Sequence, residues 1–511
     1  MKKILLLLIL IVSYSGIYAQ NESIYLWKQG QLIAQHSIKT ADLDSITFYR
    51  STLPFTAGAS NFSKYIALGD SMSAGYCDNA LFIAGQYNAY PTILSQQFSL
   101  VGGGAFSTPL MSDNIGGLLF GGSQIQPPRM YFNGSTIVQV SGTPTTEVTN
   151  HLTGPFNNMS VPGTKSFHLL VPGYGNAAGV ASGTANPYYA RFSSSNNASV
   201  INDALAQNPT FFSLWIGNND VLSYATAGGI GTNQTGNLNP NTYGANDITD
   251  PTVFANVYSA LLNNLTTGGA KGVVANIPYV SSMPYFKTVP YNAIPLDAAQ
   301  AAQLNAGYAS YNAGISQAFT AGFITANEKA RRTITFQAGN NAVVMVDSYL
   351  TSLAALGLPS YRQATAEDLL VLPSRSFIGT TVAGNPQQVN GLSVPLADSW
   401  VLSKEEVFEV KLATDAYNNT IQAQAAARGL AFVDVNSLYN QVNNGGIVAN
   451  GLTLTSTFLT GGMFSLDGVH LSPRGNALMS NKFLQAVNSN YGSNLQGVNV
   501  GNYPVLFPGN L

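Results

Sequence analysis

Cysteine and charged residues are both scarce in this 511-residue sequence. A single cysteine, Cys77, cannot form an internal disulfide, so the fold must be stabilised by core burial, and we interpret Cys77 as a small buried residue. Only 9% of residues are charged, with 21 basic against 23 acidic side chains. This balance excludes the basic footprint of a nucleic-acid-binding protein. Because 45% of residues are hydrophobic, a large core is expected.

Long apolar runs are also missing, except near the first residue. Lys2 and Lys3 precede an apolar segment at 4–12, and small and polar residues follow up to Ala19. This order is typical of a secretory signal peptide and is short for a membrane span. We therefore expect a signal peptide at 1–19 and an exported protein, which is periplasmic, on the outer surface or extracellular. No later segment predicts a transmembrane helix.

The rest of the chain divides by composition. Residues 20–58 predict a small β-rich extension, with a hairpin formed by 23–27 and 32–34 and a further β-like run at 44–49. The main domain is expected at 59–495, with insertions at about 101–153 and 281–400, and an Asn/Gly/Pro-rich tail at 496–511. In the second insertion, the β-like pieces 333–336 and 342–347 are expected to pair.

Four short apolar runs predict the strands of one main sheet, at 65–68, 209–216, 271–278 and 430–435. Helical patterns lie at 253–265, at 403–428 after a Ser-Lys-Glu-Glu capping box, and after Pro473. The strand and helix segments follow one another in the rhythm of an α/β protein with a parallel sheet.

Ser71 follows the first of these strands in the turn Gly69-Asp70-Ser71. Open α/β sheets build their sites just beyond the carboxyl ends of strands, which is where an α/β enzyme would place a nucleophile. Gly-Asp-Ser is also an ordinary turn tripeptide. The functional interpretation of Ser71 therefore depends on residues elsewhere in the chain.

Two further turns have the chemistry of an anion-binding site. At Gly163 the missing side chain lets the backbone N–H approach a ligand closely, although Pro162-Gly163 is also a common turn. Asn219 follows the strand at 209–216, and its side-chain amide is able to donate to a developing oxyanion. The alternative for this segment is an Asx turn.

The last motif is Asp467-Gly468-Val469-His470. Three positions separate the carboxylate from the imidazole, close enough for Asp467 to orient Nδ1 and leave Nε2 free to take a hydroxyl proton. An Asp-x-x-His pair is also found in metal sites, but no third ligand follows at zinc-like spacing. We therefore predict a proton-transfer pair and no metal.

Four short motifs follow one another in the order of the sequence blocks of SGNH (GDSL-type) hydrolases, which this sequence resembles over about residues 64–491. They are GDSM at 69–72, the glycine turn ending at Gly163, GNND at 217–220 and DGVH at 467–470. The resemblance implies a flavodoxin-like, three-layer α/β/α fold with a parallel sheet. It also implies hydrolysis of esters, thioesters or acetylated sugars without a metal or other cofactor.

By the same resemblance, Ser71 is the nucleophile, and Asp467 and His470 complete the triad. The Ser71 N–H, the Gly163 N–H and the Asn219 side chain form the oxyanion hole. Met72 stands where the family motif has leucine, a volume-conserving change that should cost little. The long insertions make the substrate harder to infer from the family.

The expected reaction is therefore acyl transfer through an acyl-enzyme. Apolar stretches at 283–295 and 369–373 favour lipid or simple carboxylic esters as substrates. An acetylated polysaccharide is the alternative substrate, and a non-catalytic surface binding protein on the same scaffold is the alternative function.

Overall fold

A computed structural model describes residues 22–28, 31–38 and 54–511. The predicted signal peptide and the β-like run at 44–49 lie outside the described residues. The chain divides into two compact units, Met1–Pro54 and Phe55–Leu511. In the first unit, strands Glu22–Lys28 and Gln31–Ile38 pair antiparallel, which confirms the predicted hairpin.

The second unit is built around a parallel sheet of four strands. In chain order these are β1 (Tyr65–Gly69), β2 (Phe211–Trp215), β3 (Lys271–Ala275) and β4 (Ala431–Val433). Their order across the sheet is β4-β3-β2-β1, and all neighbours are parallel. The four predicted strands are confirmed. They could be recognised because a strand buried on both faces is a continuous apolar run.

A fifth segment, 157–161, runs parallel beside β1. The Ala67 N–H donates to the Asn157 carbonyl at 2.9 Å, and the Met159 N–H donates to the Ala67 carbonyl at 2.8 Å. When the segment 157–161 is counted as the second strand along the chain, β2, β3 and β4 become the third, fourth and fifth. The order across the sheet is then 2-1-3-4-5, as in flavodoxin-like folds. The order reverses between β1 and β2, so the crevice at their carboxyl ends is where this architecture binds ligands.

Helices cover both faces of the sheet and give the three-layer α/β/α fold. The longer ones are α1 (Tyr90–Ser99), α2 (Asn219–Thr226), α3 (Pro251–Thr266), α4 (Ala298–Thr320), α5 (Lys404–Ala427), α6 (Val435–Asn443) and α7 (Pro473–Tyr491). On one face α1 packs against α7, and on the other α5 packs against α2 and α3. No helix in the described ranges is both long and apolar enough to cross a membrane.

The predicted helices at 253–265, at 403–428 and after Pro473 are confirmed by α3, α5 and α7. Helix α5 begins at the predicted capping box, in which the Ser403 N–H donates to Glu406 Oε2 at 2.7 Å. Helix α7 begins at Pro473, with Ser472 Oγ accepting from the Gly475 N–H at 2.9 Å. The capping residues next to each helix start therefore made both starts predictable from the sequence.

Short antiparallel hairpins make up the first insertion. They pair Leu118–Phe120 with Ser123–Gln126 and Met130–Phe132 with Ile137–Gln139. In the second insertion the pairs are Ile294–Leu296 with Gly339–Asn341, Val344–Val346 with Tyr361–Gln363, Leu369–Leu370 with Val401–Leu402 and Thr381–Val382 with Asn385–Val389. A further hairpin, Ile447–Ala449 with Leu452–Leu454, precedes α7.

The predicted pairing of 333–336 with 342–347 is wrong. The strand Val344–Val346 pairs with Tyr361–Gln363, and 333–336 forms no strand. Side-chain amides of α4 satisfy its backbone instead. Asn312 bonds both the N–H and the carbonyl of Ile334, at 3.0 and 2.8 Å, and Asn305 does the same for Phe336, at 2.8 and 2.9 Å.

The second insertion has a hydrophobic core of its own, separate from the main one. Its buried members come from the strands of the insertion, from α4 and from the segments between them, and they include Ile294, Tyr308, Ile334, Val344 and Leu370. The insertion is therefore a packed substructure that is able to hold residues in fixed positions beside the main sheet.

At the other end of the chain, part of the predicted tail at 496–511 packs against the rest of the second unit. Val500 belongs to the main core, and Phe507 packs edge-on against Phe82.

Candidate active site

Ser71 begins the short helix Ser71–Ala74 directly after β1. Asp70 caps this helix, accepting from the Met72 N–H at 2.9 Å, and its other oxygen accepts from Asn218 Nδ2 at 2.9 Å. Burial raises the pKa of Asp70 to about 6, although the hydrogen bonds from Asn218 and Met72 oppose the rise. Asp70 therefore ties the Ser71 turn to the turn that carries Asn219. Met72 packs in the main core.

His470 connects Ser71 to Asp467. Its Nε2 lies 2.8 Å from Ser71 Oγ, and its Nδ1 lies 3.0 Å from Asp467 Oδ2. The ring of Tyr76 lies against the imidazole, with centroids 4.7 Å apart. The predicted residues thus form one hydrogen-bonded chain, in the order in which a base takes a hydroxyl proton and a carboxylate orients the base.

Asp467 accepts four hydrogen bonds. Oδ1 accepts from the N–H groups of Val469 and His470, at 2.9 and 2.8 Å. Oδ2 accepts from His470 Nδ1 and from the Asn79 N–H, at 3.0 and 3.1 Å. Burial works to raise the pKa of Asp467, but the charge and hydrogen bonds of His470 and the Val469 amide outweigh it and lower the pKa to about 2. The group is therefore an ionised acceptor at neutral pH.

Support for the Asp467 loop comes from Asp78 and Asn79, which sequence analysis did not identify. Asp78 Oδ1 accepts from the Leu466 N–H at 3.0 Å, and the Asp78 N–H donates to Ser465 Oγ at 3.1 Å. Both residues have positive φ angles, 51° and 64°. An Asp-Asn pair is a typical signal for such a left-handed turn, but nothing in the sequence relates it to residues nearly 400 positions later.

Gly163 and Asn219, the other two predicted oxyanion donors, follow the two strands that flank β1. Gly163 follows the segment 157–161 and has a φ of 78°, and Asn219 begins α2 after β2. Asn219 Nδ2 donates to the Thr164 carbonyl at 2.9 Å, which holds its amide beside the glycine turn and leaves one N–H unused. Among the described residues, the backbone N–H groups of Ser71 and Gly163 have no hydrogen-bond acceptor.

Asp220 fixes the glycine turn to α2. Its carboxylate accepts from the Ser166 N–H and from Ser166 Oγ, both at 2.8 Å. Burial raises the pKa of Asp220, and the bonds from Ser166 oppose this rise. The turns that carry Ser71 and Asn219 thus each contain one residue facing the site and a neighbouring aspartate, Asp70 or Asp220, that holds the turn in position.

These groups open into a cavity of about 1080 Å³. Both insertions contribute to its wall. The first supplies Met130, Phe132 and Ile137, and the second supplies Tyr285, Leu372, Pro373 and Arg375. Leu372 and Pro373 come from the predicted apolar stretch 369–373, and Tyr285 comes from the stretch 283–295. Phe286, from the same stretch, does not line the cavity, because it is buried in the main core.

Three further residues with reactive side chains, His168, Cys77 and Asp434, have structural positions. His168 stacks on Tyr174 and its Nδ1 accepts from the Lys165 N–H at 3.1 Å, and burial lowers its pKa to about 4. Cys77 is buried, as predicted. Asp434 caps α6. Across the described residues, no three His, Cys, Asp or Glu side chains are grouped as metal ligands.

Comparison with known proteins finds likeness in solved structures only; no family model and no curated protein matches the chain. One match is LAE5, an alpha/beta hydrolase enzyme from the metagenome of Lake Arreo, with a TM-score of 0.33, 9% identity, and coverage of 85% of this chain and 98% of that one. A catalytic mutant of Axe2, an acetylxylan esterase from Geobacillus stearothermophilus, has a TM-score of 0.31, 9% identity and coverage of 84% and 95%.

An extracellular lipase from Streptomyces rimosus also matches, with a TM-score of 0.26, 13% identity, and coverage of 83% of this chain and 98% of that one. All three TM-scores are low. These likenesses therefore say nothing about the activity or substrate of this chain.

Proposed function

We propose that this protein is a serine ester hydrolase that cleaves carboxylic esters through an acyl-enzyme. The observation that carries the proposal is the hydrogen-bonded chain from Ser71 through His470 to Asp467, at the wall of a large cavity. Nucleophile, base and orienting acid at these distances form the arrangement required for nucleophilic acyl transfer.

In the first step, His470 Nε2 takes the proton of Ser71 Oγ as the oxygen attacks the ester carbonyl carbon. The ionised Asp467 holds Nδ1 protonated and stabilises the imidazolium that forms. The carbonyl oxygen becomes an oxyanion, to which the amides of Ser71 and Gly163 and the unused N–H of Asn219 would donate. His470 then gives its proton to the leaving alcohol, and the ester bond breaks.

In the second step, a water molecule attacks the acyl-enzyme. His470 takes one proton from this water, and the same three donors stabilise the second oxyanion. Collapse of this intermediate releases the carboxylic acid and returns the proton to Ser71. No group outside the described site is needed for either step.

The size and lining of the cavity favour an ester with a bulky acyl or alcohol part. A volume of about 1080 Å³ far exceeds that of an acetyl group, and drug-sized ligands occupy pockets of roughly 300–1,000 Å³. The wall contains Met130, Phe132, Ile137 and Leu372, which are suited to hydrocarbon. We further propose, from the segment 1–19, that the enzyme is exported.

The proposal is tested with Ser71→Ala and His470→Ala. Each removes a group that takes part in proton transfer, so hydrolysis of a p-nitrophenyl ester should fall by about 10⁴-fold or more. Ser182→Ala and His151→Ala are matched controls, because both residues are exposed and lie outside the cavity. Retained activity in Ser71→Ala or His470→Ala would contradict the mechanism.

A series of acyl chain lengths, with acetylxylan beside it, then separates the alternatives. Turnover of long-chain esters supports a lipase or acylhydrolase, whereas release of acetate alone supports a carbohydrate esterase. Failure of the wild-type protein on all of these esters would favour a binding protein.

A further inference from the structure

Arg375 lines the cavity but has no role in the proposed hydrolysis. It is exposed, and within the described part of the chain its side chain makes no hydrogen bond or ion pair. Asp467 is the one other Asp, Glu, Lys or Arg among the residues that line the cavity, and its oxygens already accept four hydrogen bonds. The cavity therefore offers an incoming ligand one free positive charge and no free negative charge.

The segment that carries Arg375 is fixed against the catalytic loop. Arg375 belongs to the 3₁₀ helix Leu372–Ser376. A Cβ atom added to Gly468 would lie 3.2 Å from Leu372 Cδ2, so the start of this helix touches the turn between Asp467 and His470. Because a 3₁₀ helix rises about 2 Å per residue, Arg375 begins only about 6 Å further along its axis.

Contacts with Trp400 hold the residues on either side of the same segment. The ring of Phe377 stacks on Trp400 with centroids 4.4 Å apart, and the Val371 N–H donates to the Trp400 carbonyl at 3.2 Å. The backbone around Arg375 is thus anchored on both sides, while its guanidinium has no partner among the described residues. This combination fixes the backbone of Arg375 in the cavity wall and leaves its charge available to a ligand.

We propose that Arg375 binds an anionic group, a phosphate or a carboxylate, carried by the ester substrate. The inference rests on the proposed function and adds a charge requirement to it. A guanidinium is a planar fork of N–H donors that matches the oxygens of both anions. The substrate would then be an ester with its acyl linkage at Ser71 and a negative charge several bonds away.

The test uses pairs of esters that differ only in one anionic group. The lipid pair is a monoacylglycerol and the same monoacylglycerol carrying a phosphate. The sugar pair is an acetylated methyl glucoside and the corresponding acetylated methyl glucuronide. In each pair the acyl group and the ester position are the same, so the ratio of kcat/KM values reports on the charge alone.

For at least one pair, the wild-type enzyme should favour the anionic ester by about tenfold to a hundredfold, the range of a charge-assisted hydrogen bond. Arg375→Gln should abolish this preference, and Arg375→Lys should keep part of it, because lysine retains the charge without the fork. The preference should also shrink at high salt.

Lys64→Gln is the matched control for charge loss, since Lys64 is exposed at the amino end of β1, opposite the site. It should keep the wild-type ratio. A preference in the lipid pair indicates a headgroup phosphate, and one in the sugar pair indicates a uronic acid. If the wild type hydrolyses both members of each pair equally, or if Arg375→Gln keeps the ratio, the inference is overturned while the hydrolase function stands. Hydrolysis of no ester overturns both.

Discussion

Buried aspartates beside the candidate triad hold the turns of the site together. Asp70 links the Ser71 turn to Asn218, Asp220 links α2 to Ser166, and Asp78 holds the loop of Asp467. Each is buried and accepts hydrogen bonds from a segment that is distant in the sequence. Buried polar groups with all partners in place give a site a single geometry, which catalysis requires.

Asn219 is the side-chain donor in the proposed oxyanion hole, and its removal should slow the chemical step. We expect Asn219→Ala to lower kcat by about 100-fold to 1000-fold with little change in KM, because the donor acts on charge that develops in the transition state. Steady-state kinetics on a p-nitrophenyl ester measures this. The control is Asn202→Ala, at an exposed asparagine of another helix. A loss confined to KM would argue for ground-state binding instead.

The strands and the long capped helices were predictable because their signals are local. Buried parallel strands are continuous apolar runs, and capping boxes mark helix starts. Helix α4 was not predicted, although Asp297 and Gln300 form a capping box at its start. Its sequence is rich in Ala, Asn, Gln and Gly, so no apolar stripe distinguishes it, and its stability comes from packing in the second core.

The sequence predicts the five residues proposed to react, but not the residues that support them. Ser71, Gly163, Asn219, Asp467 and His470 lie in short motifs whose order along the chain is informative. Asp78, Asn79 and Arg375 lie in no such motif, and their relation to the site exists only once distant segments have folded together. Tertiary contacts of this kind leave no periodic pattern in the sequence.

The turn at Gly468 joins the second insertion to the proposed triad. Its φ is 72°, and an added Cβ would lie 3.0 Å from the Tyr285 nitrogen, which donates to the Gly468 carbonyl at 2.9 Å. We expect Gly468→Ala to lower kcat/KM at least about tenfold, because the neighbours must shift and Asp467 and His470 shift with them.

Gly492 provides a matched control for this substitution. It ends α7 with a φ of 68°, and an added Cβ would meet nothing within 4 Å. Gly492→Ala should therefore lower the unfolding free energy by about 1 kcal/mol, and Gly468→Ala should have the same backbone cost. Unlike Gly468→Ala, however, Gly492→Ala should leave kcat/KM unchanged. Equal activity in the two variants would show that the contact with the insertion does not position the triad.

At the scale of the whole molecule, buried carboxyls determine how stability depends on pH. Burial raises the pKa of Asp70 to about 6 and those of Asp78 and Glu406 to about 7, from ordinary values of 3.8, 3.8 and 4.5. These groups stay protonated in the folded state at pH values where the unfolded chain has already released its protons. Their contribution to stability is full below about pH 4 and is lost as pH rises to about 7.

His168 acts in the opposite direction, since its lowered pKa makes the unfolded chain bind the extra proton between about pH 4 and 6.5. Three carboxyls outweigh one imidazole, so the unfolding free energy should fall between pH 4.5 and 7, an interval set by these pKa values. Urea unfolding at several pH values measures it. Glu406→Gln, which removes one titrating group but keeps an acceptor for Ser403, should flatten the slope. An unchanged slope in this variant would contradict the assignment.

The hydrogen bond between Ser71 and His470 joins residues 399 positions apart. During synthesis, a chain that ends before residue 470 carries the serine without its base. Even a chain that includes His470 needs α7 to complete the layer that packs against α1 and β4. Ester hydrolysis by the proposed mechanism therefore begins only when the chain has been made to the end of α7. A translation product that ends before His470 is expected to hydrolyse no ester, because its Ser71 lacks the base of the proposed mechanism.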